Sequence, residues 1–376
     1  MSATWTRTAA LATPRRFGTP EPAVVLKSGK VLLAGGLAGP SFESLDVVEI
    51  YDPAGGAWTG ARPMRLSRSR HSTTLLNDGS VLVAGGVTGP FAFPLAGVTS
   101  AELYDPVTGT WTDTGPMNRA RCYHSATLLP NGTVLVAGGL TARMGRTVSP
   151  PGNHQALRSA ELYDPGTRTW SETAPMTDGR GQHQGVLLGN GRVLVAGGSV
   201  PIGYGVDVGL SYCELFDVAT STWEATGDMT TNREGHVVTQ LADGSVLATG
   251  GILGEELRGL NEYSLRSAER YDPSSGAWTA TASMGKGRLG HQAVRLDSGK
   301  VLVSGGANFA APQQRSWRSA ELYDPATDTW SATGDMVSGK QGFAAVRLGD
   351  GRVLAAGGLR RGYEFVLNDV VEVFQP

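Results

Sequence analysis

Glutamate, arginine and histidine return in this chain at fixed intervals, and each could do chemistry. Glu49, Glu102, Glu161, Glu214, Glu269, Glu321 and Glu372 each stand two residues before an aromatic side chain. A cation recurs as Arg68, Arg121, Arg180, Arg233, Arg288 and Lys340. Three residues beyond a cation lie His71, His124, His183, His236 and His291, five of the six histidines, with Phe343 and Glu21 filling the position in the two other repeats. Carboxylates suit acid–base work, and a ring of imidazoles could hold a metal or shuttle protons. Repetition weighs against both. A residue found in every repeat serves packing or hydrogen bonding, whereas a site for one ligand must break the symmetry. The glutamates are therefore expected to pair with the repeated cations, and the histidines to bond neighbouring backbone.

Breaks in the symmetry mark the candidates. Glu234 follows Arg233 where other repeats carry Ser69, Cys122, Gly181, Leu289 or Gln341, and a carboxylate beside imidazoles can act as a base. Glu234, His236, Tyr123 and His124 are the candidate catalytic residues. Arg70, His71, Gln182, His183 and Glu21 are expected as polar groups around the same pocket. Four residues past the histidine position the chain places Val25, Leu75, Leu128 and Leu187, then Gln240, Arg295 and Arg347. A leucine follows in every repeat, so strand alternation sets Gln240, Arg295 and Arg347 on the face away from it. Two neighbouring arginines near a narrow axis predict a carboxylate or phosphate between them. Trp317, outside the repeated tryptophan position, completes the set of expected ligand-binding residues.

The elements that must hold these residues are short strands. A Val-Leu-Val-Ala-Gly-Gly segment or close variant ends at Gly36, Gly86, Gly139, Gly198, Gly251, Gly306 and Gly358, at intervals of 50, 53, 59, 53, 55 and 52 residues. Such a period predicts an all-β, seven-bladed propeller of four-stranded antiparallel blades. Within residues 71 to 117, the strands fall at 71–76, 80–84, 100–104 and 110–114, with Asn77-Asp78-Gly79 as a hairpin turn. The last repeat ends at Phe374, before its own tryptophan strand. Trp5 and its neighbours match the segment at Trp278, so the N-terminal strand is expected to complete the last blade and remove a free edge. One domain over 1–376 results, with blades at about 21–64, 71–117, 124–176, 183–229, 236–284, 291–336 and 343–376 plus 3–11.

Variable loops follow each glycine pair, on the same face as the histidines; the opposite face has only tight turns. Function is expected on the loop-rich face. Its aromatic and charged residues include Phe91, Phe93, Arg143, Arg146, His154, Tyr204, Asp207, Tyr212, Glu255, Glu256, Arg258, Tyr263, Asn308, Phe309, Arg360, Arg361 and Tyr363.

Arg-x-x-His, Asp-Gly, Gly-Gly, Glu-x-Tyr-Asp-Pro and Trp, in seven matched copies, resemble the kelch repeat. That resemblance admits protein-binding scaffolds, cofactor-free enzymes and the copper enzyme galactose oxidase. Arg121-Cys122-Tyr123-His124-Ser125 is similar to the segment that gives galactose oxidase a tyrosine and a histidine ligand, which would make Tyr123 and His124 copper ligands here. No earlier cysteine stands ready to cross-link a radical tyrosine, and Arg70 occupies the position in blade 2 where a second tyrosine is sought. The main expectation is a propeller that binds a small polar or anionic molecule at the loop-rich face and channel mouth, without a cofactor; whether it only binds that molecule or also transforms it, as an isomerase, lyase or cyclase, is left open by the sequence. The alternative is a protein–protein interaction scaffold. A net charge of −2 with 18% charged residues carries no nucleic-acid signature, and no apolar run suits a membrane span. The start, Met-Ser-Ala-Thr-Trp, lacks the apolar core of a secretion signal, which predicts a cytoplasmic protein. Cys122 and Cys213 form no metal-binding pattern and read as buried thiols.

Overall fold

The computed structural model describes residues 3–18, 23–90, 95–143, 156–203, 206–254, 264–308, 315–361 and 365–376. Seven four-stranded antiparallel sheets form a ring. Blade 2 is typical, with strands Ser72–Leu75, Val81–Ala84, Ala101–Asp105 and Thr110–Asp113 running from the axis outward. The second strand of each blade reads as a continuous apolar run because both of its faces are covered, and Val81–Ala84 is wholly buried. The N-terminal strand Thr4–Arg7 pairs with Val371–Gln375, and Trp5 lies opposite Phe374 with ring centroids 5.1 Å apart. Tyr104 and Trp111 meet in the same way at 5.0 Å. The last blade is thus closed by both ends of the chain.

The core is a set of seams between blades. Leu26, Leu32, Met64, Val81, Val83, Tyr104 and Trp111 pack between blades 1 and 2. Side chains of each inner strand alternate between the two neighbouring seams: Leu26 faces blade 2, while Val25 packs toward blade 7 against Leu348 and Leu354.

Each seam is locked by one buried cation. Arg68, Arg121, Arg180, Arg233, Arg288 and Lys340 pair with Glu102, Glu161, Glu214, Glu269, Glu321 and Glu372, at 2.6 to 3.0 Å. The seventh cation is Arg15, on Glu49, which the sequence pattern did not mark. The Arg121 guanidinium also donates to the carbonyls of Gly138 at 2.6 Å and Ser159 at 3.1 Å, tying the link to its own blade. Its backbone carbonyl accepts from Gly86 N at 2.9 Å, in the preceding blade. Glu161 in turn accepts from Asn118 N at 2.7 Å and Arg119 N at 3.1 Å. The carboxylates are structural.

Removing the charge of one partner leaves an uncompensated ion in a dry site. Glu161→Gln is expected to lower stability by about 3 kcal/mol, seen as a reduced urea midpoint with unchanged slope.

Candidate functional site

Where each link turns into an inner strand, the residue just before the histidine position adopts a left-handed backbone. Arg70, Tyr123 and Gln182 each have φ of 55°, and Gly235, Gly290 and Gly342 have φ of 62°, 66° and 56°. These residues join blade to blade around the axis through their backbones. Tyr123 N donates to Arg70 O at 3.2 Å, Gln182 N to Tyr123 O at 3.0 Å and Gly235 N to Gln182 O at 3.2 Å. Gly342 N donates to Gly290 O at 2.8 Å, and Phe17 N to Gly342 O at 2.7 Å. Glycine is required at 342, because a Cβ there would lie 2.6 Å from Phe17 O.

A cavity of about 180 Å³ opens within this ring on the loop-rich face, lined among others by Arg16, Tyr123, Gln182, Gln292 and Gln341 and by the glycines Gly235, Gly290 and Gly342. Arg70 stacks on the Tyr123 ring, its guanidinium 5.0 Å from the centroid, and its Nε donates to the phenol oxygen. Gln182 reaches back to Glu234 Oε2 at 3.3 Å and Ser199 Oγ at 3.5 Å. Burial, reinforced by the nearby Arg70 charge, pushes the Arg16 pKa down to about 10. Arg16 Nε and Gln292 Oε1, both buried, have no hydrogen-bond partner among the described residues. The cavity therefore gathers Tyr123 and Gln182 and adds Arg16 and Gln292, while Arg70 and Glu234 are buried behind Tyr123 and Gln182. Arg16 was legible only as the neighbour of Arg15, the cation that the pattern missed.

Of the repeated histidines only His291 lines this cavity among the described residues. Each ring is wedged behind the glycine pair of the preceding blade, with His124 Cε1 2.8 Å from where a Cβ on Gly85 would stand. His124 and His183 bond Ser72 Oγ and Ser125 Oγ at 3.0 and 2.9 Å, and His291 bonds Thr249 Oγ1 at 3.0 Å. Their partners are side chains of the preceding blade, where the sequence pattern predicted backbone. Burial, with a guanidinium close by, pushes His71, His183, His236 and His291 down to about 3 and holds His124 well below its ordinary value. His236 and His124, expected as catalytic groups, are sealed struts. The ring that takes this place in the first blade is Phe17, against Gly357; Glu21 lies outside the described residues.

Three further expectations change. Trp317 stands at a repeat position after all, its N donating to Gly306 O at 2.7 Å as Leu157 N does to Gly139 O at 2.8 Å. Its indole donates to Gly287 O at 3.1 Å under the Lys286 ammonium, away from the cavity lining. Gln240, Arg295 and Arg347 lie toward the turn face, at the other end of the axis, and Arg347 pairs with Asp297. On the loops, Tyr212 is half exposed, Arg360 is exposed and Asp207 is buried. Phe91, Phe93, Arg146, His154, Tyr204, Glu255, Glu256, Arg258, Tyr263, Phe309 and Tyr363 lie outside the described residues, and Arg143 and Arg361 are placed by backbone only.

The family model described as the kelch motif matches residues 68–118 and 121–177. Both matched segments fall in blades 2 and 3 of the seven-bladed ring. The chain is a β-propeller that carries kelch motifs. It is similar to Kelch-like protein 15 of Danio rerio, 26% identical over 62% of this chain and 38% of the relative. Kelch-like protein 25 of Rattus norvegicus is 30% identical over 61% and 35%, and Kelch-like protein terF of Aspergillus terreus 26% over 73% and 57%. The propeller spans a little over a third of the length of the first of these relatives. A fungal alcohol oxidase of the AA5 family, solved with copper, matches all of this chain and 77% of its own at a TM-score of 0.75 and 18% identity. YjhT matches 82% of this chain at a TM-score of 0.59 and 16% identity. Both likenesses are of fold.

Copper does not fit the donors of this kelch propeller. The Tyr123 oxygen faces the Arg70 guanidinium, a cation where a metal would stand, and His124 Nε2 is taken by Ser72. Among the described residues no three histidine, cysteine, aspartate or glutamate side chains gather as a metal site. No helix among them is long and apolar enough to cross a membrane.

Unfolded histidine titrates near 6.5 and four of these imidazoles at about 3, so between those values the unfolded chain binds the extra protons. Their stabilising contribution is whole above pH 6.5 and is lost as pH falls, by about 1.4 kcal/mol per unit for each histidine. Thermal melts are expected to drop steadily below neutral pH, with acid unfolding complete well above the folded-state value. A melting temperature flat through that window would mean that the rings reach solvent.

Proposed function

We propose that this kelch propeller is a recognition module: its loop-rich face docks a protein partner, and the channel mouth takes one anionic group of that partner. The observation that carries the reading is the left-handed trio Arg70, Tyr123 and Gln182. Three other blades hold glycine at this position, where the conformation is nearly free. A side chain there costs about 1–2 kcal/mol, and strain of this kind is retained where side chains have work to do.

Size supports a protein partner over a free small molecule. About 180 Å³ is less than the roughly 300–1,000 Å³ of a typical small-molecule site, and fits one side-chain group anchoring a larger contact. The surrounding loops form a collar able to support such a contact. Ser44 Oγ bonds Val87 O at 3.1 Å and Ser316 Oγ bonds Leu359 O at 3.0 Å, each from one blade to the next. Arg16 and Arg70 set the sign of the group, and Arg16 Nε is a buried donor awaiting an acceptor. Relatives named kelch-like are consistent with a recognition role. The reading calls for no cofactor. An isomerase, lyase or cyclase would need a group poised near neutral pH; the imidazoles are sealed and titrate far below it, and Glu234 lies behind Gln182.

A displayed library of random peptides, selected on the protein, tests the proposal. Enrichment of Asp or Glu at one position is expected, with binding of the winning peptides weakened about tenfold or more by Arg70→Ala, the cost of losing one charge-assisted contact. Winners without acidic preference, or indifferent to Arg70→Ala, would sink it. Gln182→Gly should weaken the same peptides while leaving stability equal or up to about 1 kcal/mol higher, measured by urea denaturation. A lower stability would show that the strained side chain serves the fold.

A further inference from the structure

The turn face, at the opposite end of the axis, carries a cation of its own. We infer that Arg295, with Arg347 beside it, forms a second site that takes a small oxyanion, a carboxylate or a phosphate. This inference stands independently of the loop-face reading.

Most cations of the turn face are matched by a carboxylate, although Lys27 bonds the Asn77 carbonyl instead. Lys30 pairs with Asp52 and Lys300 with Asp324, each at 3.0 Å, and Arg352 pairs with Asp350 at 2.6 Å. Arg192 has Glu224, Arg270 has Asp243, and Arg347 has Asp297. Arg295, exposed on the inner strand of blade 6, has no acidic partner among the described residues. Asp297 cannot readily serve both arginines. Its Oδ2 is laid over the turn of blade 7, 2.7 Å from where a Cβ on Gly351 would be.

The space beside Arg295 is one of several openings between inner turns, since nothing lies within 4 Å of a Cβ built on Gly29, Gly191 or Gly244. At two other seams a side chain from one inner turn covers the glycine of the next. The Lys27 stem lies 3.2 Å from a Cβ built on Gly79, and Asn77 Nδ2 3.3 Å from one on Gly132. At the seam between blades 5 and 6 the covering residue is Ala242, whose methyl stays 4.0 Å from a Cβ on Gly299. A hollow of about 470 Å³ remains, lined by Ala242, Arg295, Leu296, Asp297, Gly299 and Arg347. Two guanidiniums and one carboxylate leave it one positive charge in excess. Guanidinium presents paired N–H donors that match the two oxygens of a carboxylate or phosphate. Blades 1, 3 and 4 place Val25, Leu128 and Leu187 at the Arg295 position, packed into the seams. Blade 6 gives up that packing for a charge.

The test follows the guanidinium Nε–H resonances of isotope-labelled, full-length protein during titration with inorganic phosphate and, separately, with acetate. Saturable movement of the Arg295 and Arg347 signals at millimolar anion is expected, with phosphate alone pointing to a phosphoryl ligand and acetate as well pointing to a carboxylate. Arg295→Gln should weaken the response of Arg347 about tenfold, while Arg16 and Arg70 respond as before. Ala242→Glu, which supplies an internal carboxylate, should abolish it in a chain that still folds. Shifts that never saturate, or that persist in both variants, would overturn the site. Failure at Arg16 and Arg70 alone would bear only on the loop-face proposal.

Discussion

A single buried cation at each seam governs the rest of the molecule. Burying a guanidinium is costly, and the cost is offset only where geometry is good and further hydrogen bonds are made. Here burial lowers the arginine pKa while the partner glutamate raises it, and at Arg121 two backbone carbonyls and the Ser159 hydroxyl take further donors, Nε having no partner among the described residues. The same residue's own carbonyl accepts from the preceding blade. One side chain thus fixes the link in space, the end of the second strand, the start of the third and the contact with the neighbour. Seven copies close a ring that hydrophobic seams alone would leave free to slide.

That fixation sets the conformation of the mouth. With the link pinned by its cation, only two residues remain before a histidine must enter the preceding glycine pair. The chain makes that turn by going left-handed, at the position of Arg70, Tyr123, Gln182 and the three glycines. The mouth is therefore a ring of backbone hydrogen bonds whose side chains are optional to the fold. Where glycine stands, the wall is bare; where a side chain stands, its direction is dictated by strain and by its neighbour. Arg70 lies flat on Tyr123 because both leave the ring from adjacent positions at the same φ. Preorganised polar groups on rigid backbone make good binding sites, since little freedom is left to lose.

The architecture was legible in the sequence because it is repeated. Seven glycine pairs, seven glutamates and the match of Trp5 to Trp278 gave strand order, blade number and ring closure without any single-residue inference. The structural role of the glutamates followed from the same symmetry. The site was legible in part. Arg70, Tyr123 and Gln182 stood out as irregular, but their left-handed backbone, the feature that sets them apart, leaves no trace in composition. Arg15 and Arg16 were missed because the first link is shortened, so that Phe17 rather than a residue at the usual spacing fills the histidine slot. His124 and His236 were misread because spacing brings a residue to a face and cannot say whether a glycine pair will cover it. Trp317 looked irregular by residue type and is regular by position.

Symmetry also explains why the two ends of the axis behave differently. On the loop-rich face the repeated cation is buried, so a charge that escapes pairing, such as Arg16, stands out against a neutral, hydrogen-bonded ring. On the turn face the cations are surface groups met by aspartates of the turns and outer strands, and an isolated surface pair is worth little. What sets one place apart there is the pair of guanidiniums, Arg295 and Arg347, around the hollow beside Ala242. A ligand at the loop face meets fixed, partly dry donors and would gain from them strongly. One at the turn face meets solvated donors and would be held weakly, with marked dependence on salt. A propeller built from one repeated unit can thus offer two unlike surfaces, because the same strand buries one end of its charge pattern and exposes the other.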